Sequence, residues 1–145
     1  MTMPSDMRAY NRALIEEFRA NGGKLSGQRA NSSLLLLTTT GAKSGQPRTV
    51  PLGYVRDGDR LILLAANAGA PAHPNWYVNL CANPLVTVEL GAERFQARAS
   101  TAEDVERDRL AALILWFAAQ QEKTSRRIPV VILDRLSSVV ESSQS

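Results

Sequence analysis

A glycine-punctuated turn between two apolar segments carries the residues of this chain best suited to bind an anion. Residues 38–48 read Thr-Thr-Thr-Gly-Ala-Lys-Ser-Gly-Gln-Pro-Arg. Glycines at 41 and 45 permit positive φ angles, so that successive N–H groups can point into one concavity. Lys43 and Arg48 add positive charge. The turn predicts a phosphate or carboxylate site, and a polar hairpin loop with solvated cations is the equally weighted alternative.

The usual nucleotide-binding version of such a turn is absent. A Walker A loop places Lys directly after its second glycine, whereas Gln46 follows Gly45 here. The chain has one cysteine, Cys81, and one histidine, His73, so it offers no disulfide framework, no zinc-ligand spacing and no Cys/His pair for nucleophilic catalysis. We expect no metal site, a buried and inert Cys81, and a His73 that caps a helix or lies in an exposed loop.

Composition favours one globular domain over residues 1–145, with 44% hydrophobic and 21% charged residues. No apolar run is long enough to span a bilayer and no export signal is evident, so we expect a cytoplasmic protein. Net charge is +5 through residue 56 and −2 after it. This asymmetry fits an anionic ligand. Nucleic acid is disfavoured because the cations are dispersed without an aromatic-plus-basic strand motif.

The first predicted element is an amphipathic helix over 6–20, ended by Asn-Gly-Gly. Its basic residues leave two interpretations open, namely packing on the rest of the protein or peripheral contact with the inner face of the plasma membrane. Packing is favoured, because Glu16 and Glu17 dilute the polar face.

Strands are predicted next, over 33–39, 48–55 and 60–66, with Asp57-Gly58 as a hairpin signal between the last two. Pro51 indicates an edge strand or a bulge, and Gly53 a bulge or a close ligand. Further along, the pattern predicts a short helix over 74–82, strands over 85–90, 94–99 and 128–133, and a frayed tail over 137–145.

Ser-Thr-Ala-Glu at 100–103 has the form of a capping box, which predicts one helix to about residue 121 with Val105, Leu113 and Phe117 facing inward. Five or six mostly antiparallel strands with three helices exclude a Rossmann sheet. They favour an α+β fold built on a small closed or half-open barrel at about 33–133.

Several motifs, taken in order, resemble the deazaflavin-dependent nitroreductase family. They are the segment 36–48, Pro51-Leu52, His-Pro-Asn-Trp-Tyr-Val-Asn-Leu at 73–80, Ala-Asn-Pro at 82–84 and Arg-Ile-Pro-Val-Val at 127–131. The resemblance runs from about Ala9 to Leu133. It implies the split β-barrel of FMN-binding proteins, coenzyme F420 as cofactor, and hydride transfer to a quinone, enone or nitro compound. Coenzyme F420 is a deazaflavin that carries a phosphate and a glutamate tail.

The resemblance also implies which residues would bind the coenzyme, while no catalytic residue is assigned. The turn would hold the phosphate and acidic tail, the strand after it would run along the ring, and the 64–67 edge and the short helix would close the site. The residues concerned are Ala42, Lys43, Ser44, Arg48, Thr49, Val50, Pro51, Leu52, Gly53, Leu64, Ala65, Ala66, Asn67, Asn75, Trp76, Tyr77, Val78, Asn79 and Phe117.

The chain departs from the family pattern at two places. Ala66-Asn67 stands where the family commonly has Ser-Lys, which removes a hydroxyl and an ammonium group from the anion-binding edge. Gly53, Phe117 and Gln120 stand where nitroimidazole-activating members have tyrosines, which weakens any expectation of prodrug reduction. Tyr54 is beside Gly53, but strand alternation sends it to the opposite face, where we expect it to pack.

Two other function classes stay open. The barrel could bind FMN as an ordinary flavin oxidase or reductase, or it could carry the deazaflavin without catalysis. Split barrels often pair, so a homodimer is a further expectation by analogy. If the protein is a reductase, the coenzyme supplies the hydride, and water can protonate the product because no histidine–carboxylate pair is predicted in the site.

Overall fold

The computed structural model describes residues 3–25, 33–67 and 70–136, and the side chains from residue 9 onward. The described part contains four helices and seven strands. In chain order they are α1 (Met3–Ala20), β1 (Leu34–Thr40), β2 (Pro47–Gly53), β3 (Val55–Asp57), β4 (Arg60–Leu64), α2 (Asn75–Ala82), β5 (Leu85–Leu90), β6 (Glu93–Thr101), α3 (Asp104–Ala111), α4 (Phe117–Gln121) and β7 (Val130–Arg135). The tail predicted over 137–145 lies outside the described residues.

All seven strands form one antiparallel sheet in the order β2-β1-β5-β6-β7-β4-β3. The two edge strands, β2 and β3, are consecutive in the chain and separated only by Tyr54. Because one residue joins opposite ends of the strand order, the sheet must curl into a half-barrel. The predicted small antiparallel barrel is therefore confirmed.

The strand expected over 48–55 is divided, because its two halves pair with different neighbours. Leu35, Leu36 and Leu37 of β1 pair with the first half, whereas Val55 opposite Ile62 begins the hairpin with β4. Pro51 costs no ladder bond on the outer side of β2, since β2 is an edge strand. Pro51 thus marks an edge, as predicted.

Alternation along the strands sorts the apolar side chains into two clusters. Leu61 and Leu63 of β4 face the larger cluster, with Leu35, Leu37 and Val88. The intervening positions of β4 face the smaller one: it consists of Ile62, Leu64, Ala102, Leu110, Ala111, Ile114, Ile128, Val130 and Ile132. The larger cluster supports the candidate site, while the smaller one holds α3 against β4 and β7.

Helix α1 packs on the barrel, as the favoured interpretation predicts. Leu14 and Phe18 are buried. Arg19 at its end donates two hydrogen bonds to Glu89 of β5, from Nε at 2.9 Å and from Nη2 at 2.7 Å. Among the described residues, no helix is long and apolar enough to cross a membrane.

The single helix predicted from the capping box is wrong. Thr101 still belongs to β6, where it pairs with Val131, and its hydroxyl lies 2.8 Å from the Tyr77 hydroxyl. Helix α3 starts after Glu103, which makes no side-chain capping bond. The helix also breaks after Ala111, where hydrogen bonds to the third preceding residue tighten the backbone. Inward packing of Val105 and Leu113 is wrong too: both are exposed, and the buried residues are Leu110, Ala111 and Ile114.

Candidate functional site

The turn between β1 and β2 is braced by its own backbone. Gly41 N–H donates to the Gln46 carbonyl at 2.8 Å, and Gly45 N–H donates to the Gly41 carbonyl at 2.9 Å. Gln46 N–H donates to Ser44 Oγ at 3.1 Å. Gly45 has a φ of +73°, which a glycine adopts without strain. These bonds fix the direction of the remaining amides.

A further backbone amide of the turn, that of Ala42, ties the turn to helix α2. Ala42 N–H donates to Asn79 Oδ1 at 2.9 Å, and Asn79 Nδ2 donates to Thr39 Oγ1 at 3.2 Å. Asn79 is buried, so both ends of its amide need partners, and they find them in the turn and at the end of β1. Only the Lys43 and Ser44 amides within the turn donate to no described residue, which leaves two neighbouring N–H groups beside the two cations.

An open groove of about 1200 Å³ lies between this turn, β2, α1 and α2. It brings together ten of the nineteen residues predicted to bind a coenzyme, which are Ala42, Lys43, Ser44, Arg48, Thr49, Val50, Asn75, Trp76, Val78 and Asn79. Thr38 and Thr49 brace the β1–β2 floor through hydroxyl groups 2.7 Å apart. The predicted turn, strand and short helix therefore meet at one concave surface.

The groove is electropositive. Arg12, Lys43 and Arg48 line it, and none of the three forms an ion pair with any described residue. Arg19 also lines it, but Glu89 neutralises its charge, and the guanidinium holds the pKa of the Glu89 carboxyl below its ordinary range. Glu16 is the only acidic residue among the described residues that line the groove. Three uncompensated cations against one acid suit a polyanionic ligand.

Helix α1 supplies one wall of the groove, although none of its residues was predicted to bind the coenzyme. The α1 residues on the groove are Asn11, Arg12, Ile15, Glu16 and Arg19. Their spacing along the chain matches one face of a helix, and the positive charge of the first half of the sequence was visible. The sequence alone gave no reason to place that face opposite the turn, because the contact depends on how α1 docks.

The rest of the predicted set lies outside the groove lining. Leu52 and Tyr77 pack against the larger cluster, and Phe117 against the smaller one. Gly53 is covered by Trp116: a methyl group at position 53 would meet the indole ring at 3.6 Å. Other predicted residues outside the lining are Pro51, Leu64, Ala65, Ala66 and Asn67. Their roles in coenzyme binding stay predictions.

Arg126 organises the predicted 64–67 edge and the loop after it. Its guanidinium donates to the carbonyls of Ala66 at 2.7 Å, Ala70 at 3.3 Å and Ala65 at 3.4 Å. Its Nη1 also lies 2.6 Å from His73 Nδ1. The sequence offered Arg126 only as a neighbour of the 127–131 motif, so these contacts were not foreseen.

His73 is exposed and lies in the loop before α2, as expected for one of its two predicted roles. Partial burial and the nearby Arg126 charge both lower its pKa, because each disfavours the protonated ring. His73 also meets the Tyr77 ring edge-on at 5.0 Å. Burial raises the pKa of the Tyr77 hydroxyl.

The expectation that Cys81 is buried is wrong. It is exposed, because its position on α2 is on the side away from the Trp76, Asn79 and Leu80 face that packs inward. Tyr54, in contrast, packs against the larger cluster as predicted. Arg56 lies 5.8 Å from the centre of the Tyr54 ring.

Known proteins share this sequence pattern and this barrel. The profile of the family described as F420H(2)-dependent quinone reductase matches residues 10–135. The F420H(2)-dependent quinone reductase Rv1261c of Mycobacterium tuberculosis (strain H37Rv) is 42% identical over 111 residues, which cover 70% of this chain and 72% of that protein.

Two solved structures are similar over most of the chain. One is an F420-H2 dependent reductase, FDR-A, with 39% identity, a TM-score of 0.64, and coverage of 70% of this chain and 94% of that one. The other is described as a domain-swapped dimer, with 34% identity, a TM-score of 0.66, and coverage of 90% and 99%. The match over residues 10–135, together with the shared split barrel, shows that this chain belongs to the F420H(2)-dependent quinone reductase family.

Proposed function

We propose that this protein is a reductase that uses reduced coenzyme F420 and delivers hydride to a quinone. The observation that carries the proposal is the electropositive groove between the 41–46 turn, α1 and α2, in a chain of this family. Its cations and its two uncommitted turn amides match the phosphate and glutamate tail of the coenzyme in charge. Its volume of about 1200 Å³ accommodates an extended ligand rather than a compact anion.

The residues of the groove divide the task of binding. The phosphate would be held by the Lys43 ammonium group together with the backbone amides of Lys43 and Ser44. Arg48 and Arg12 would pair with the carboxylates of the tail. Trp76 and Val78 offer apolar surface on the α2 side, where a planar ring would pack. Asn79 contributes indirectly, because it is fully engaged in fixing the turn.

When bound, reduced coenzyme F420 would supply the hydride itself. The protein would then have to hold the ring in one orientation and bring the acceptor against it. No histidine or carboxylate of the described part is placed in the groove to donate a proton, apart from Glu16 on α1. Water would therefore protonate the reduced quinone. Hydride transfer leaves the quinone as a stabilised anion, so its protonation needs no strong acid.

A quinone is the first acceptor to test because family members are named for it. Nitro compounds and enones are finer possibilities that the family resemblance implies. Oxidation of the reduced coenzyme would be followed spectroscopically with a soluble naphthoquinone, a nitroimidazole and a cyclic enone in parallel. Turnover with the quinone supports the proposal. Tight coenzyme binding without oxidation by any acceptor would favour a deazaflavin carrier instead.

FMN remains the alternative ligand, because its phosphate could also occupy the turn.

A second proposal concerns assembly: a structure described as a domain-swapped dimer resembles this chain at 34% identity, which supports a homodimer. Light scattering after size-exclusion chromatography would measure the mass in solution. A mass twice that of the chain of 15.8 kDa supports the dimer, whereas a mass equal to it contradicts the dimer.

A further inference from the structure

The segments 65–67 and 70–73, called the edge below, follow β4 and lie outside the strands of the sheet. Strand β4 ends at Leu64, so the carbonyls of Ala65 and Ala66 have no strand opposite them. Ala65 is fully buried, and its N–H donates to the Pro129 carbonyl at 3.0 Å. A buried carbonyl outside a ladder needs a donor from elsewhere.

Arg126 is that donor, and it serves three carbonyls at once. Ala65, Ala66 and Ala70 all accept from its guanidinium. Arg126 is held in turn: its own N–H donates to Thr124 Oγ1 at 3.1 Å, and its carbonyl accepts from Gln121 Nε2 at 2.7 Å. A planar guanidinium with five N–H donors can hold several acceptors in fixed directions, which an ammonium group cannot do.

The fourth partner of Arg126 defines the chemical form of His73. A guanidinium has donors and no acceptor, so His73 Nδ1, at 2.6 Å from Arg126 Nη1, must accept. The ring proton must then be on Nε2. The lowered pKa of His73 is consistent with a neutral ring at neutral pH. Among the described residues, the charged group that faces the ring is Arg126, and the titratable group is Tyr77, whose ring meets it edge-on.

We propose that Arg126 is the positioning residue of this edge: it fixes the carbonyls of Ala65 and Ala66 and holds His73 as a neutral Nε2–H donor. Residues 70–73 of the edge lead directly into α2, where Asn75 and Trp76 line the groove. That the coenzyme is what this edge serves rests on the proposed function. Arg126 contacts no reacting atom in this scheme, and it acts only through the backbone and His73.

The test that needs no variant is ¹⁵N NMR of the imidazole in the protein without added coenzyme. His73 is the single histidine of the chain, so its signals are unambiguous. The proposal predicts the Nε2–H tautomer at neutral pH and a midpoint below the ordinary value of 6.5. An Nδ1–H tautomer, or equal averaging of the two, would overturn the proposal.

The variant test compares Arg126→Gln with Arg127→Gln. Arg127 is a matched control, because it is the adjacent arginine and pairs with Asp104 at 2.6 Å on the surface. In Arg126→Gln we expect the His73 midpoint to rise toward 6.5 and the Kd for coenzyme F420 to rise roughly tenfold. Arg127→Gln should leave both quantities near the wild-type values.

The outcomes separate this inference from the proposed function. If wild-type protein binds coenzyme F420 and Arg126→Gln binds it equally well, the positioning role is refuted while the proposed function stands. If wild-type protein does not bind the coenzyme, the proposed function fails, and the NMR signals alone decide whether Arg126 holds His73. Should Arg126→Gln fail to fold, Arg126→Lys keeps the charge without the planar fork. It is predicted to raise the Kd for coenzyme F420 as Arg126→Gln does, while the His73 midpoint stays below 6.5 because a cation remains beside the ring; an unchanged Kd would refute the positioning role.

Discussion

Asn79 of α2 accepts a hydrogen bond from the Ala42 amide of the turn, at 2.9 Å. The same side chain donates to Thr39 at the end of β1. One buried amide thus fixes the distance between the helix that forms one wall of the groove and the turn that carries its cations. The shape of the groove depends on this contact as much as on the groove-lining charges.

Asn79→Ala should therefore both destabilise the protein and weaken ligand binding. It leaves the Ala42 N–H and the Thr39 hydroxyl without their partner, which costs about 1–3 kcal/mol of unfolding free energy. Asn83→Ala is the control, because Asn83 is exposed just after the same helix. Urea unfolding and coenzyme titration measure the two effects. Equal behaviour of the two variants would contradict the bridging role.

The turn cations should dominate coenzyme affinity. Lys43→Ala combined with Arg48→Ala is expected to weaken coenzyme F420 binding by about 2–3 kcal/mol, because each cation contributes a charge-assisted bond to the ligand. Wild-type affinity should also fall steeply with added salt, and the salt dependence should flatten in the double variant. The control is Arg98→Ala with Lys123→Ala, two exposed cations outside the groove lining. An unchanged Kd in the first pair refutes the anion-binding turn.

Gly41 has no room for a side chain. A Cβ there would lie 2.6 Å from Ser44 Oγ and 3.2 Å from the Gln46 carbonyl. Gly41→Ala must turn the Ser44 hydroxyl away from the Gln46 amide, so we expect a loss of about 0.5–1.5 kcal/mol in unfolding free energy from the broken hydrogen bond. Adding Ser44→Ala should recover part of that loss, since the nearest clash disappears.

Gly53→Ala tests whether this cost is specific to the turn. A Cβ at position 53 would meet the Trp116 ring at 3.6 Å and the Ser33 carbonyl oxygen at 3.9 Å, both ordinary contact distances. Thermal unfolding should show little change for Gly53→Ala and a clear drop for Gly41→Ala. If both variants unfold at the same temperature, the packing explanation for Gly41 is wrong.

Acid should loosen the attachment of α1 to the barrel. Hydrogen bonding to Arg19 lowers the pKa of Glu89 below its ordinary 4.5 in the folded protein. A lowered folded-state pKa means that the contribution to stability is complete above 4.5 and is lost as the pH falls through the folded value. The stability difference between wild type and Glu89→Gln should thus be present at neutral pH and vanish in strong acid.

Glu93→Gln is the matched control for that experiment. Glu93 pairs with Arg135 at 3.5 Å with both side chains largely exposed. Exposed pairs contribute about 0–1 kcal/mol, so its removal should change little at any pH. Urea unfolding of all three proteins across the acid range is the measurement. A Glu89→Gln difference that persists unchanged in strong acid contradicts the ion-pair explanation.

The sequence predicts the local elements well where turn chemistry is explicit. Asp57-Gly58 marks the β3–β4 hairpin, and Gly58 adopts a φ of +62°. The short helix ends at Ala82 before Asn83-Pro84, as its C-terminal signal indicated. The capping-box signal failed because Ser100 and Thr101 are paired with Ile132 and Val131 in the sheet. Strand pairing of distant segments outweighed a local preference.

The candidate site was predictable in its turn and its short helix, and unpredictable in what joins them. Lys43, Arg48 and Trp76 lie on the groove as expected. Arg12 and Arg126 were not predicted as site residues, because each is dozens of residues away in sequence from the segments it lies beside. Arg12 lines the groove only once α1 has docked, and Arg126 reaches the end of β4 only once the segment before β7 has folded back; no local pattern records either event.

Binding of the deazaflavin itself is the most direct test of the proposed function. Trp76 lines the groove, whereas Trp116 lies over Gly53, so Trp116→Phe leaves a protein whose only tryptophan reports on the groove. Its fluorescence would be titrated with coenzyme F420, FMN and NADPH in turn. We predict saturable quenching by coenzyme F420 at concentrations where FMN and NADPH have no effect. Quenching by FMN alone would contradict the assignment and make the protein a flavin-binding split barrel.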